Sequence, residues 1–274
     1  MATPAHAIHQ PPFGHALRAV RGARKLSQLD LATAAEISQR HLSFLESGRA
    51  RPSRVMVLQL AESLNLPLRE RNRLLIAAGF APIYPQRELG SPDMAPVRQA
   101  LERLLAHHEP FPAVVMDRRW NILMSNRAIE RLTALIGDAD ALWQRSCGDG
   151  PRNMLKLMLH PEGLRPLIEN FEEAARVMIG HAQHEAVDDA RTAQVLEEVL
   201  AYPGIPARWK RIEDHSAPLP VLSTRLRAGP LSLGLFTMLT TFGTPQDVTT
   251  EDLRVETMYP ADAESEALLR KLAS

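Results

Sequence analysis

Three serines, Ser27, Ser38 and Ser53, each stand directly ahead of a short run whose apolar side chains recur at helical spacing. A serine hydroxyl in that position accepts a hydrogen bond from an unpaired amide of the first helical turn, so it both starts a helix and fixes where it starts. Repeated at such short intervals, the signal leaves no room for strands. It predicts small helices over residues 28–34, 39–47 and 54–64, with Gly48 closing the second. A helix over 13–25, with Phe13, Leu17 and Val20 on one face, precedes them, and another runs from Pro67 to about Gly79. The packing faces are expected at Leu29, Leu31 and Ala32, then Leu42 and Leu45, then Val55, Leu58 and Ala61. The result is an all-α domain of five helices over residues 13–80, with residues 1–12, polar and proline-containing, expected to be disordered.

The rest of the chain reads differently. Pro82, Pro85, Gly90, Pro92 and Pro96 mark residues 81–96 as a linker. Helix resumes over 97–107. Residues 113–116 and 121–125 are β-prone and are separated by Asp117-Arg118-Arg119-Trp120, which predicts a hairpin. A helix over 126–136 follows. Residues 151–201 read as largely helical, with breaks at 161–163 and near 181–188, and Cys147 falls in an expected loop. Three strands are expected late, over 219–227, 231–242 and 253–259, with a turn at Ala228-Gly229-Pro230 and a closing helix over 262–273. Residues 97–274 are therefore expected to form an α+β domain.

Charge separates the two parts. The chain is neutral overall, yet residues 1–80 carry eleven Arg and Lys against five Asp and Glu, and the remainder carries the matching acidic excess. A small basic domain joined to an acidic one points to a polyanion as partner of the first. The single cysteine, Cys147, excludes an intrachain disulfide framework and a Cys-rich zinc site. No run of apolar residues is long enough to span a membrane, and the first residues lack the pattern of a signal peptide, so no membrane partner and a cytoplasmic location are expected. There is no Gly-rich phosphate loop, no Gly-x-Ser-x-Gly elbow and no His-Glu-x-x-His, so an enzyme is not expected. His181 and His184, with Glu185 beside them, have a spacing that can support a metal, and His160 is conceivable as a haem ligand. These isolated groupings are weak signals, and no metal or cofactor is expected.

The run Ser27-Gln28-Leu29-Asp30-Leu31-Ala32, followed by Ile37-Ser38-Gln39-Arg40-His41-Leu42-Ser43-Phe44-Leu45-Glu46-Ser47-Gly48-Arg49, resembles the helix-turn-helix of the phage-repressor-like (XRE) family over roughly residues 13–79. In that motif the second helix lies in the major groove while the first crosses the backbone. The resemblance implies that Ser38 caps a recognition helix whose free N–H groups face a phosphate. Gln39, Arg40 and Ser43 then project toward base edges, where Gln pairs with adenine and Arg with guanine. Gln28, Arg49, Arg51 and Ser53 are placed for backbone phosphates. It also implies that Arg21 pairs with Glu46 across the first and third helices, orienting the recognition helix rather than reading DNA. One such helix reads few base pairs, so a homodimer on a double-stranded operator is expected, with half-sites about one helical turn apart.

Further segments extend the likeness: Leu66-Pro67-Leu68-Arg69-Glu70-Arg71-Asn72, Ala77-Ala78-Gly79-Phe80-Ala81-Pro82, Val114-Val115-Met116-Asp117-Arg118-Arg119-Trp120-Asn121, Leu159-His160-Pro161-Glu162-Gly163-Leu164, and Thr241-Phe242-Gly243-Thr244-Pro245-Gln246-Asp247-Val248. Together these resemble the MmyB-like regulators over about residues 13–270. That resemblance implies a PAS-like second domain that binds a small apolar, fatty-acid-like ligand. The residues themselves are compatible with it. A sheet flanked by helices leaves a pocket between them, and a helical block containing Met154, Met158 and Met178 suits an adaptable apolar lining. Met158 and the polar residues Trp120, Asn126, Arg152, Asn153, His160 and Asn170 are the candidates for ligand contact. An arginine among them can hold a carboxylate by two parallel hydrogen bonds, while Asn126 also stands where a helix N-cap belongs. The alternative is a second domain that only dimerises or recruits a partner and binds no ligand.

Overall fold

The computed structural model describes residues 13–187, 189–210 and 221–273. The segment expected to be disordered, 1–12, and the start of the strand expected from Leu219 lie outside them. The described chain divides into two compact units: residues up to Arg87 together with 244–251, and residues 88–243 together with 252–273.

The first unit is built from α1 (Phe13–Ala23), α2 (Gln28–Ala34), α3 (Gln39–Glu46), α4 (Arg54–Ser63) and α5 (Leu68–Ala77). All three serine caps form. Ser27 accepts from the Asp30 amide at 3.1 Å, and Asp30 returns a bond to the Ser27 amide at 2.8 Å, a complete capping box. Ser38 accepts from the His41 amide and Ser53 from the Met56 amide. Leu17, Leu31, Leu42, Leu45, Leu60 and Leu75 fill the core. Helices α1 and α3 come so close that a Cβ on Gly14 would lie 2.5 Å from the Glu46 carbonyl oxygen, a contact that glycine alone permits.

Two expected packing positions are corrected. Val55 is 73% exposed, and α4 buries Val57, Leu60, Ala61 and Leu64 instead. Those four repeat at i, i+3, i+4 and i+7, a fuller stripe than the one through Val55, and a helix turns its fuller stripe inward. Leu29 is 58% exposed, because it points away from the face that Leu31 and Ala32 share.

The second unit contains α6 (Ala95–His108), β1 (Ala113–Met116), β2 (Ile122–Ser125), α7 (Arg127–Ile136), α8 (Ala139–Cys147), α9 (Met154–Leu159), α10 (Phe171–Ala186), α11 (Ala190–Leu200), β3 (Ser223–Ala228), β4 (Leu231–Thr241), β5 (Arg254–Pro260) and α13 (Ala263–Ala273); α12 (Val248–Asp252) comes between the last two strands. The five strands form one antiparallel sheet in the order β2-β1-β5-β4-β3, a PAS-like α+β arrangement. The last strand thus enters beside the first hairpin. Gly229, with φ 61°, makes the tight turn between β3 and β4 at the expected place.

Side chains alternate across this sheet. Ala113, Val115 and Val255 pack with Leu101 and Leu105 of α6 on one face. Val114 and Met116 belong to the core on the other face, beneath the helices of the inserted block. Two expectations fail inside that block. Helix α8 was not anticipated; Asp138 caps it by accepting from the Asp140 and Ala141 amides, so Cys147 ends a helix rather than lying in a loop. Helix α10 runs unbroken through His181 and Glu185, because Ala174, Ala175, Ile179 and Ala182 keep one buried stripe to its end.

The expected linker is divided between the units. Its first half is held on α5 by Asn72, whose Oδ1 accepts from the Ile83 and Tyr84 amides while its Nδ2 donates to the Tyr84 carbonyl. Residues 244–251 join the same unit, although the sequence places them late in the second domain. The Val248 amide donates to Pro85 O at 2.8 Å, Arg87 pairs with Asp247 at 3.0 Å, and Glu251 accepts from the Leu68 amide at 2.8 Å.

Candidate DNA interface and ligand cavity

Helix α3 presents Ser38, Gln39 and Arg40 to solvent at its N-terminal end, while Leu42 and Leu45 anchor its other face in the core. What fixes its orientation is a buried cluster around Glu46. The carboxylate has no exposed surface; Arg21 Nε meets Oε1 at 2.7 Å, Arg21 Nη2 meets Oε2 at 3.1 Å, and Gln28 Nε2 donates to Oε2 at 2.8 Å. Arg18 lies 3.5 Å away. Burial alone pushes the Glu46 pKa up, but the bonds from Arg21 and Gln28 outweigh it and hold the group below the usual carboxylate range. The expected Arg21–Glu46 pair is therefore present, and Gln28 is a third member of it.

Phe44 adds order at the surface. Its half-buried ring carries the Arg40 guanidinium at 5.4 Å and the Arg49 guanidinium at 5.8 Å. Cation–ring contacts of this kind restrain long side chains that otherwise sample many rotamers.

The second unit encloses a cavity of about 410 Å³ between the sheet and α7, α9 and α10. That volume lies within the range of small-molecule sites. Most of the wall is apolar: Ile129 and Leu132 from α7, Leu157 and Met158 from α9, Leu226 and Leu235 from the sheet. Polar groups gather where α10 meets β5. Arg254 is paired with Glu185, and Glu185 also accepts from Trp120 Nε1 at 2.8 Å. The Arg254 guanidinium lies over the Trp120 ring at 4.7 Å. Its Nε is buried without a hydrogen-bond partner. Trp120 sits at φ 68°, held there by the preceding turn, in which Asp117 Oδ1 accepts from the Arg119 and Asn121 amides.

Glu256 also lines this region, from the same strand face as Arg254. It is partly exposed, and the protein around it removes water from the carboxyl. That burial pushes its pKa up, against the smaller opposing effects of a bond with Thr237 and the charge of Arg254. Burial likewise lowers the pKa of Arg254, with Glu256 and Asp117 acting in opposition.

Residues 97–272 match the model of the MmyB-like transcription regulator ligand binding domain, and residues 17–71 match a helix-turn-helix model. The chain belongs to the MmyB-like transcription regulators. That is a family of regulators rather than enzymes. The regulator is 42% identical over 65 residues to proteins described as uncharacterized HTH-type transcriptional regulators in Mycobacterium bovis and Mycobacterium tuberculosis. The match covers 24% of this chain and spans 25% of those relatives' length. A solved structure titled as an RNA-binding light-oxygen-voltage receptor aligns over 94% of the chain and 61% of its own, at 14% identity and a TM-score of 0.27. Among the described residues no helix is long and apolar enough to cross a membrane.

The residues singled out from the sequence are distributed as follows. On the regulator's first unit Gln39, Arg40, Arg49, Arg51, Ser38 and Ser53 are exposed and Ser43 is half-buried. The hydroxyls of Ser38 and Ser53 already accept helix amides, and the Gln28 amide is engaged by Glu46 rather than free for a phosphate. In the second unit Trp120 and Met158 line the cavity. Five other candidates do not. Asn126 is buried and bonds the Ala113 amide and the Phe111 carbonyl, with no cap bond to α7. Asn153 caps α9 and donates to Arg119 O at 2.7 Å. Asn170 ties β3 in place by donating to Ser223 O and accepting from the Arg225 amide. Arg152 is exposed, paired with Asp140, and His160 accepts from the Glu162 amide beside Tyr202. Each of these polar groups serves local backbone or surface partners.

The sequence reading missed Arg254 and Glu256, and it named Glu185 only as the neighbour of the pair His181 and His184. A signal existed for two of them. Arg254 and Glu256 alternate with Leu253 and Val255 and share a face with Met258, so the pattern puts two charges on one inward-facing side of a strand. The pairing of Glu185 with Arg254 had no such signal, because the two come from elements far apart in sequence. His181 and His184 do line the cavity, but Glu185 beside them is bonded to Arg254 and Trp120.

Proposed function

We propose that the protein is a cytoplasmic, homodimeric transcription regulator that binds a double-stranded operator through α3 and responds to a small apolar ligand in the cavity of its second unit. The observation that carries the DNA-binding half is the Glu46 cluster. It fixes α3 from behind by an ionised, fully buried carboxylate while Gln39 and Arg40 are left exposed in front. A helix so held meets the groove in one orientation, and groove readout depends on orientation. Residues Arg49 and Arg51 extend the basic surface for phosphate contact.

The cavity supports the ligand-responsive half. Its walls favour an alkyl chain over a sugar or nucleotide, and its single polar region favours a chain with one polar end, of the fatty-acid-like kind. No cofactor or metal takes part in this reading. Ligand shifts operator affinity only if it binds the DNA-competent and incompetent states unequally. Fluorescence anisotropy on an operator selected from random duplexes tests the first half, and titration with ten-carbon amphiphiles tests the second. Selective DNA binding with no uptake of any amphiphile would leave a regulator whose second domain serves dimerisation or partner recruitment instead.

A further inference from the structure

We infer that the cavity takes the polar end of its ligand in uncharged form, as a hydroxyl, an amide or a protonated carboxylic acid, seated against Glu256. This rests on the reading of the cavity as a ligand site and deepens it.

Among the described lining residues the charged and titratable groups are Arg254 and Glu256 from β5, and His181, His184 and Glu185 from α10. The facing helices α7, α8 and α9 contribute none to the lining. Arg254 is the one Arg or Lys, and it is already neutralised. Glu185 pairs with it, and the carbonyls of Asp117 and Arg118 lie 3.5 Å from its Nη2. An incoming carboxylate would have to displace Glu185 from Arg254, or sit beside the Glu256 carboxyl with only His181 or His184 to oppose its charge, and only while one of those rings is protonated; burying an unpaired charge costs far more than burying a hydrogen-bonding neutral group. An incoming ammonium would lie close to Arg254 and require Glu256 to ionise in a desolvated position.

An uncharged head meets neither obstacle. Burial pushes the Glu256 pKa up, toward the protonated form, and a protonated carboxyl offers one donor and one acceptor. Donor and acceptor side by side complement a hydroxyl, an amide or a neutral acid.

The test is calorimetric titration of the full-length protein with decanol, decanoic acid and decylamine, below their aggregation limits, at about pH 5.5 and about pH 8. Decanol should bind equally at both. The apparent Kd of decanoic acid should rise about tenfold for each pH unit above its own pKa, because only the protonated form enters. Decylamine should bind at least about tenfold more weakly than decanol. Glu256→Leu should weaken decanol about tenfold, by removing its hydrogen-bond partner. Decanoate bound as tightly at about pH 8 as at about pH 5.5, a decanoic acid pH dependence that disappears in a His181→Gln, His184→Gln variant, or decylamine bound best, would overturn the uncharged-head inference while leaving the apolar site intact. Failure of all three to bind would overturn the ligand site itself.

Discussion

Each unit of this regulator holds a glutamate carboxyl out of bulk water, and the two pKa values are pushed in opposite directions, Glu46 down and Glu256 up. Glu46 beneath α3 is ionised, because Arg21 and Gln28 supply more than burial takes away. Glu256 in the cavity has burial without an equal partner, because Arg254 is already committed to Glu185. Burial is common to both; what differs is the number of donors aimed at the oxygens. The saturated acid is a structural lock behind a reading surface. The unsaturated one is left with hydrogen-bonding capacity, facing a space large enough for a ligand.

The contrast can be broken in several ways. The largest effect is expected for Glu46→Ala, which leaves the partly exposed Arg21 guanidinium and the Gln28 amide without their buried acceptor. A loss of about 2 kcal/mol in stability is expected by calorimetry, less than for a wholly buried pair because water reaches Arg21. A loss below about 1 kcal/mol would mean that the cluster behaves as a surface pair. Next comes Arg40→Ala, which should weaken operator binding by about 1–3 kcal/mol with no change in melting temperature. An equal loss on random duplexes would reduce Arg40 to a phosphate contact.

The third test uses pH. For Glu46 the folded pKa is depressed, so its contribution is present above its unfolded pKa and disappears as pH falls through the folded value. For Glu256 the folded pKa is raised, so stability is highest below the unfolded pKa and declines as pH rises toward the folded value. Glu46→Gln should therefore flatten the acid limb of the stability profile, and Glu256→Gln should remove a decline on the alkaline side. Melting curves in which both variants shift the same limb would contradict the assignment. The smallest effect is expected for Phe44→Leu, which releases Arg40 and Arg49 from the ring and should weaken operator binding by about 0.5–1 kcal/mol. The combined change with Arg40→Ala should cost less than the sum, because the two side chains act through one contact.

The two regions also differ in how far they could be read from sequence. The helix-turn-helix was legible almost throughout, because its signals are local. Ser27, Ser38 and Ser53 cap the helices they precede, and Gly48 adopts the expected left-handed turn at φ 75°. Its misreadings, Val55 and Leu29, arose from choosing between competing stripes on short helices. In the second unit the strands and the β3–β4 turn were legible, yet the cavity's polar end was not. Trp120, named as a candidate for ligand contact, does line the cavity. Arg254 and Glu185 are 69 residues apart and meet only once β5 pairs with β1 and α10 packs across the sheet. Conversely, Asn126, Asn153 and Asn170 were candidates for ligand contact as polar residues near a possible pocket, and buried backbone groups claim them. Short-range capping can be read from spacing, whereas a site assembled from distant elements can be read only from pairing.

The most direct test of the whole account is the affinity of the full-length protein for its selected operator, measured by anisotropy with and without saturating decanol. The account predicts a change of about fivefold or more in Kd, matched by an equal change in decanol affinity when operator is present. An operator Kd unchanged at saturating decanol would contradict it, and would separate the reading helix from the cavity as two functions that happen to share a chain.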